Sequence, residues 1–154
     1  MGSFSFKSSG TTAATAATNA LATTPTPIGI KTPLTLGNDD LLTMNYVLAS
    51  QLTDNLRNLV MTNWGERLGF YDYGANLRPL MADLVSLDDF DSEAITRIRT
   101  AVQRWMPYID LQDFISEADM TQSGSLAVIR MTITFNIPGL NIVGRKLEVT
   151  LYAI

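Results

Sequence analysis

The chain has 154 residues, a net charge of −4 from 11 Lys and Arg against 15 Asp and Glu, and neither His nor Cys. This length favours one domain with a substantial core. Without Cys there are no disulfides, thiolate zinc sites or Cys nucleophiles, and without His there is no Ser-His-Asp triad or imidazole ligation. The acidic balance argues against nucleic acid as a partner, and no apolar run predicts a membrane span. We therefore expect a protein made in the cytoplasm, with no cofactor.

The composition of the chain changes near residue 38. Residues 11–26 are nearly all Thr and Ala and end among prolines, a composition that cannot offset its backbone entropy by apolar burial. Residues 1–37 are therefore predicted to form an extended low-complexity N-terminal arm, either disordered or ordered on a partner, and residues 38–154 to form the domain. Phe4 and Phe6 alternate at strand spacing, and apolar residues recur across 28–36, so both segments suit strand addition to another chain.

Three helices are predicted at the start of the domain. Asn38 is a good N-cap for the first, which Gly65 would end. Its apolar stripe comprises Leu48, Leu52, Leu56, Leu59 and Val60. A short second helix is expected over residues 76–84, with Pro79 tolerated in its first turn. The third helix would begin among the acidic residues at 88–91 and end before Pro107. Its apolar positions are Ile95, Ile98, Val102 and Trp105.

Three strands are predicted after Pro107, where the apolar period becomes two. The first, with one break, carries Ile109, Leu111, Asp113 and Ile115. The second follows a turn at 121–124 and places Ala127, Ile129, Met131, Ile133, Phe135 and Ile137 on one face. A turn at Pro138-Gly139 leads to the third, with Leu147, Val149, Leu151 and Ala153. Three N-terminal helices followed by a three-stranded antiparallel sheet make an α+β domain, whose last strand is an open edge that invites a partner chain.

Carboxylates are the candidates for catalysis. Glu66 and Asp72 flank a loop with Trp64, Tyr71 and Tyr73, and a glycosidase needs two carboxyls roughly 5–9.5 Å apart, one with a raised pKa. The simpler interpretation places Glu66 in ion pairs and the aromatic residues in the core. An acidic cluster could bind a hard cation, but a dipole-complementing helix start explains it better. Its members are Asp88, Asp89, Asp91 and Glu93. We therefore expect no catalytic site and no metal site.

Several motifs, taken in order, resemble one family. They are Phe4-x-Phe6 with Gly10, Leu59-x-Met61-Thr62-x-x-Gly65-Glu66-Arg67, and Asp72-Tyr73-Gly74-x-x-Leu77. The chain resembles the baseplate wedge proteins of contractile phage tails, over residues 38–154 and the first ten residues. That family includes a baseplate subunit of bacterial type VI secretion systems, and its members are often labelled lysozyme-like. The family signature Glu-Pro-Arg, associated with docking to central wedge proteins, falls on Met106-Pro107-Tyr108, where only the proline is kept.

The resemblance implies a sheath-type domain that starts sheath polymerisation in a virion baseplate. Sheath strands would add to the last strand at Arg145, Leu147, Val149 and Leu151, with Phe4 and Phe6 as further strand-exchange residues. Wedge proteins would dock on Glu66, Arg67, Met106, Pro107 and Tyr108, where a Met and a Tyr can offer an apolar contact. The implied partners are the sheath protein and wedge core proteins, with tube or hub proteins as further candidates.

Two alternative functions remain open at this point. One is a peptidoglycan glycosidase of the tail, with Glu66 as acid and Asp72 or Asp113 as its partner carboxylate. The other is a type VI secretion baseplate subunit. The long arm favours the phage tail over the secretion system, and the absence of a visible active-site constellation favours a structural role over an enzyme.

Overall fold

The computed structural model describes residues 25–37, 41–82, 87–120 and 127–152. The chain divides into two compact units, Met1–Val47 and Leu48–Ile154. The predicted strand-exchange residues Phe4 and Phe6 and the predicted turn at 121–124 lie outside the described residues. No helix among those described is long and apolar enough to cross a membrane.

The first unit contains a small antiparallel ladder that the sequence did not predict. Strand β1 (Gly29–Ile30) pairs with β2 (Met44–Asn45), and a bridge joins Leu36 to Leu42. The backbone N–H of Ile28 donates to the carbonyl of Asn45 at 2.7 Å. The apolar segment at 28–36, expected to add to another chain, therefore pairs with its own chain along part of its length.

Helix α1 (Leu48–Met61) is shorter than predicted at both ends. The proposed cap Asn38 lies outside the described residues, but residues 41–47 are not helical, because their backbone groups pair with the first ladder. The helix ends four residues before Gly65. Leu56, Leu59 and Val60 are buried as the stripe requires, whereas Leu48 in the first turn is 44% exposed.

The other two helices agree with the sequence pattern. Helix α2 (Arg78–Ala82) lies inside the predicted range, and α3 (Leu87–Trp105) ends before Pro107. The N–H of Met106 makes the last helical bond, to Val102 at 2.8 Å. Asp91 and Glu93, members of the acidic cluster, have protein partners in Ser116 and Arg97. Within the described residues, no group of three or more His, Cys, Asp or Glu could hold a metal ion.

The sheet of the second unit is antiparallel, with strand order β3-β4-β5. Its strands are β3 (Asp110–Met120), β4 (Ala127–Ile137) and β5 (Ile142–Tyr152), and a 3-10 turn at Pro138–Leu140 joins the last two. A bulge lies between Leu111 and Asp113, at the predicted break. The bulge shifts the alternation, so that Phe114 packs on the core and Ile115, predicted on the same face as Leu111, is 54% exposed.

The core lies between one face of this sheet and the three helices. Alternate residues of β4 from Ile129 to Ile137 are at most 2% exposed, and Phe135 is completely buried. Leu147 and Val149 of β5 join them. Burial of each such side chain contributes about 1.5–3 kcal/mol to the stability of the fold. Packing of the three helices against the apolar face of the antiparallel sheet is therefore favoured, because it removes these side chains from water.

Candidate functional site

The segment after α1 returns across the end of that helix. The N–H of Ala75 donates to the carbonyl of Leu59 at 3.0 Å, and that of Asn76 donates to Thr62 at 3.2 Å. These bonds satisfy carbonyls at the helix end, which lack partners inside the helix. Gly74 makes the crossing possible, because a Cβ there would lie 2.1 Å from the Thr62 carbonyl oxygen.

Residues 64–73, here called the aromatic loop, are ordered by their own hydrogen bonds. The N–H of Gly65 donates to the carbonyl of Tyr71 at 2.7 Å and that of Tyr73 to Phe70 at 3.0 Å. The indole N–H of Trp64 donates to the carbonyl of Gly74 at 3.1 Å. The loop therefore holds one shape without a core of its own.

Trp105, at the end of α3, anchors the aromatic loop. Its ring meets Phe70 at 5.7 Å and Tyr73 at 5.3 Å between centroids, both edge to face. The Arg67 guanidinium lies 4.2 Å above the Tyr73 ring, and Arg104 lies 5.2 Å from the centre of Trp105. Such aromatic and cation–π contacts fix both ring and guanidinium orientation.

Large apolar side chains of the loop nevertheless face solvent. Leu68 is 90% exposed, Tyr71 67%, Trp64 59% and Phe70 54%. The expectation that Trp64 and Tyr71 fill the core is therefore wrong, because the loop is too short to fold these side chains under itself while crossing the helix end. Motif reasoning also missed Leu68 and Phe70. The available signal was a run of apolar residues between glycines with no helix or strand period.

Tyr73 acts on two of the predicted docking residues, Arg67 by stacking and Tyr108 through its charge. Arg67 stacks on Tyr73. The pKa of Tyr108 is raised by partial burial and by the neighbouring Tyr73. Pro107 and Tyr108 are exposed, whereas Met106 is 4% exposed and belongs to the core, so the apolar contact expected of this turn falls to its other two residues.

Glu66, the candidate catalytic acid, is bound by Asn63. Its two carboxylate oxygens accept from the backbone N–H of Asn63 at 2.8 Å and from its side-chain amide at 2.9 Å. These bonds, chiefly the side-chain one, lower the pKa of Glu66, and the charge of Arg78 acts in the same direction. A general acid needs the opposite shift. The proposed partner carboxylates are also engaged, Asp72 with Arg104 and Asp113 with the N–H of Phe114.

The sheet has two outer edges among the described strands, and they differ. The β3 edge carries the bulge and the acidic residues Asp110, Asp113 and Glu117. The β5 edge pairs with β4 in unbroken register from Arg145 to Tyr152. Of the predicted exchange residues in β5, Leu147 and Val149 face the core, while Arg145 and Leu151 are half-buried. A partner strand would therefore meet the backbone of β5 rather than the buried side chains of Leu147 and Val149.

A groove lies beside the end of β5. It has a volume of about 240 Å³ and is lined by Met61 of α1, Met81 of α2 and Leu151 and Tyr152 of β5, among others. The regular edge and the groove are adjacent, so one extended segment could pair with the strand and place a side chain in the groove.

Comparison with known proteins supplies relatives in fold. One chain of the anti-feeding prophage baseplate, a cryo-electron microscopy structure with six-fold symmetry, matches with a TM-score of 0.50 and 18% identity over 80% of this chain and 82% of that one. A crystal structure from Geobacter sulfurreducens, provisionally named a tail lysozyme, matches with a TM-score of 0.52 and 17% identity. The match covers 73% of this chain and 96% of that one. No family model and no curated protein matches the chain.

Both relatives share the fold at an identity too low to transfer residue roles. The sequence motifs predicted a resemblance to baseplate proteins, and two independent structures share the fold, one from a baseplate and one named for a tail. The chain therefore shares its fold with a chain of the anti-feeding prophage baseplate and with the protein named for a tail lysozyme, which confirms the predicted family resemblance at the level of fold.

Proposed function

We propose that the chain is a structural subunit of a contractile phage tail baseplate, which docks on wedge proteins and starts sheath polymerisation by accepting strands at β5. The observation that carries this proposal is the regular edge of β5, which has no partner strand among the described residues, in a fold shared with a baseplate chain. The protein acts in the virion, and its partners are the sheath protein and other baseplate proteins.

Strand addition accounts for both affinity and register. Each backbone hydrogen bond contributes about 0.5–1.5 kcal/mol net, so a strand pairing along residues 145–152 gains several such terms. Inward side chains of β5 are buried, so a slip by one residue would reverse the faces of the added strand. The bulge and acidic side chains of β3 oppose addition at the other edge, which directs the sheath to β5.

The proposed role includes no catalysis. The lowered pKa of Glu66 supports this, since the carboxyl is ionised where a glycosidase acid must be protonated. Purified protein should therefore leave peptidoglycan intact, and Glu66→Gln should change nothing in that assay. Turnover by the wild type that disappears in a folded Glu66→Gln variant would contradict the structural assignment.

Hydrogen exchange tests the sheath-initiator role directly. The full chain is mixed with the purified sheath protein of the same tail, and backbone amides of β5 and β3 are compared before and after mixing. Outward amides of β5 should exchange at least about 10-fold more slowly in the mixture, because they gain carbonyl partners. The β3 edge is the internal control and should change little.

Two results would refute the strand-exchange mechanism. One is equal protection of both edges, which would indicate general crowding by sheath. The other is sheath assembly from this baseplate with no change at β5. Because the chain contains no Cys, a single Glu148→Cys substitution on the exposed face of β5 can report sheath contact by specific labelling without background.

A further inference from the structure

We propose that the aromatic loop binds a protein segment in which a carboxylate side chain stands beside a large apolar side chain, and that Arg67 is the charge partner of that carboxylate. The partner is another baseplate protein, so in this respect the inference rests on the proposed function. It concerns a different surface from β5 and does not require strand addition.

Arg67 is held in place without a carboxylate partner. Its guanidinium stacks 4.2 Å above Tyr73, and among the described residues its side chain is in no ion pair. The adjacent Glu66 is not available, because both of its oxygens are bound by Asn63. Arg104, which lies against the Trp105 ring, differs in that it pairs with Asp72. Among the residues that the structure describes, the hydrogen-bond donors of Arg67 are thus oriented and have no carboxylate partner.

Stacking prepares Arg67 for a carboxylate. A guanidinium is weakly hydrated, and its planar fork can donate two parallel hydrogen bonds to one carboxylate. Because the Tyr73 ring already restricts the side chain, less rotamer entropy is lost when the partner binds than for a free surface arginine. Arg and aromatic residues are also the side chains that dominate binding energy at interfaces.

The apolar half of the surface comes from Leu68 and Tyr71. Both are at least two-thirds exposed and lie on a loop ordered by the Gly65 to Tyr71 hydrogen bond and by a 3.2 Å bond from Phe70 to Arg67. Neither side chain belongs to the core, and exposed apolar residues in the same short, ordered loop as a stacked arginine are typical of contact surfaces. An apolar side chain next to the partner carboxylate would cover them.

Charge favours a protein over a nucleic acid as the occupant. The surface holds Glu66 and Asp72 beside its arginines, and the chain has a net charge of −4. Phosphate backbones would meet these carboxylates, whereas a single acidic side chain can approach Arg67 alone. This leaves an acidic–apolar protein segment as the occupant.

The experiment measures binding of the full-length chain to the purified wedge proteins of the same tail by titration calorimetry at two salt concentrations. Arg67→Met removes the charge and keeps an apolar stem, and Leu68→Asp reverses the polarity of an apolar residue of the aromatic loop that is 90% exposed. Each should weaken binding about 10- to 100-fold, and Arg67→Met should also reduce the salt dependence of Kd.

Matched controls separate this surface from general effects. Arg99→Met is the control for Arg67→Met, at an exposed arginine on α3, and Val143→Asp is the control for Leu68→Asp, at an apolar residue that is 81% exposed. The Kd of both control variants should stay within about two-fold of the wild-type Kd. Thermal unfolding of each variant verifies folding. Protection of β5 by sheath should persist in Leu68→Asp, which separates failure of this inference from failure of strand exchange.

The inference is overturned if the wild type does not bind the wedge proteins, or if Arg67→Met and Leu68→Asp bind as tightly as their controls. If only Leu68→Asp loses binding to the wedge proteins, the inference that Arg67 pairs with a partner carboxylate is overturned. If these variants bind the wedge proteins fully and sheath does not protect β5 from hydrogen exchange, both this surface and strand exchange are rejected. If they lose wedge binding while sheath still protects β5, both proposals are supported.

Discussion

Gly74→Ala should be among the most destabilising single-methyl changes in the chain. The residue has a φ of +112°, and an added Cβ would lie 2.1 Å from the carbonyl oxygen and 2.7 Å from the carbonyl carbon of Thr62. Both are backbone atoms at the end of α1, so no side-chain rotation relieves the overlap. The loop must move, and the Asn76 to Thr62 and Trp64 to Gly74 hydrogen bonds are the first lost.

The magnitude follows from these contacts. Positive-φ strain on a residue with a Cβ costs about 1–2 kcal/mol, and two lost hydrogen bonds cost about 0.5–1.5 kcal/mol each. Local overpacking adds about 1–3 kcal/mol, so the free energy of unfolding should fall by about 3–8 kcal/mol. Gly69→Ala is the matched control, because Gly69 has a φ of +80° but a Cβ there meets nothing within 4 Å. Its strain is partly offset in the unfolded state, and it should cost about 1 kcal/mol.

Urea denaturation followed by far-UV circular dichroism measures both changes. Gly74→Ala should also alter tryptophan fluorescence, because Trp64 and the Tyr73–Trp105 contact depend on the path of this loop. Equal destabilisation by the two substitutions would refute the reasoning, since Gly74→Ala alone creates the clash with Thr62 and the loss of hydrogen bonds that follows from it.

Three further predictions follow from burial and hydrogen bonding. Phe135→Ala, at a completely buried position, should lower the unfolding free energy by about 3–5 kcal/mol in the same urea experiment. The Glu66 carboxyl should titrate below its ordinary pKa in a carbon-detected NMR titration and return toward it in Asn63→Ala, which keeps only the backbone donor. Because the folded pKa is the lower one, this carboxylate stabilises the fold above the unfolded pKa, and that contribution is lost as pH falls through the folded pKa. Partial burial should raise the pKa of Tyr108 above the ordinary tyrosine value in an ultraviolet titration, and the high-pH step should disappear in Tyr108→Phe; an ordinary pKa would contradict the burial of this ring.

Local periodicity explains which elements could be predicted. The burial of alternate residues in β4 and the end of α3 before Pro107 follow from patterns contained in a few consecutive residues. The break in β3 was also visible, but the side of the strand taken by Ile115 was not, because a bulge reverses the alternation only through pairing with β4.

Distant pairing explains where α1 was predicted incorrectly. Residues 38–47 offer a cap and apolar spacing that suit a helix in isolation, yet Met44–Asn45 pairs with Gly29–Ile30 and the helix begins at Leu48. A ladder partner about fifteen residues away supplies hydrogen bonds that no local pattern encodes, and tertiary context overrides helix propensity.

The candidate site divides in the same way. The sequence by itself predicted the mixed helix and antiparallel-sheet architecture, and the family resemblance proposed Arg67 and Tyr108 as docking residues. Only the tertiary structure decided that Arg67 stacks on Tyr73, that Leu68 and Tyr71 face solvent, and that Met106, Leu147 and Val149 are buried. The reason is physical: periodicity reports which face of a helix or strand is apolar, whereas exposure in a loop depends on where its ends are anchored, here by Thr62 and Trp105.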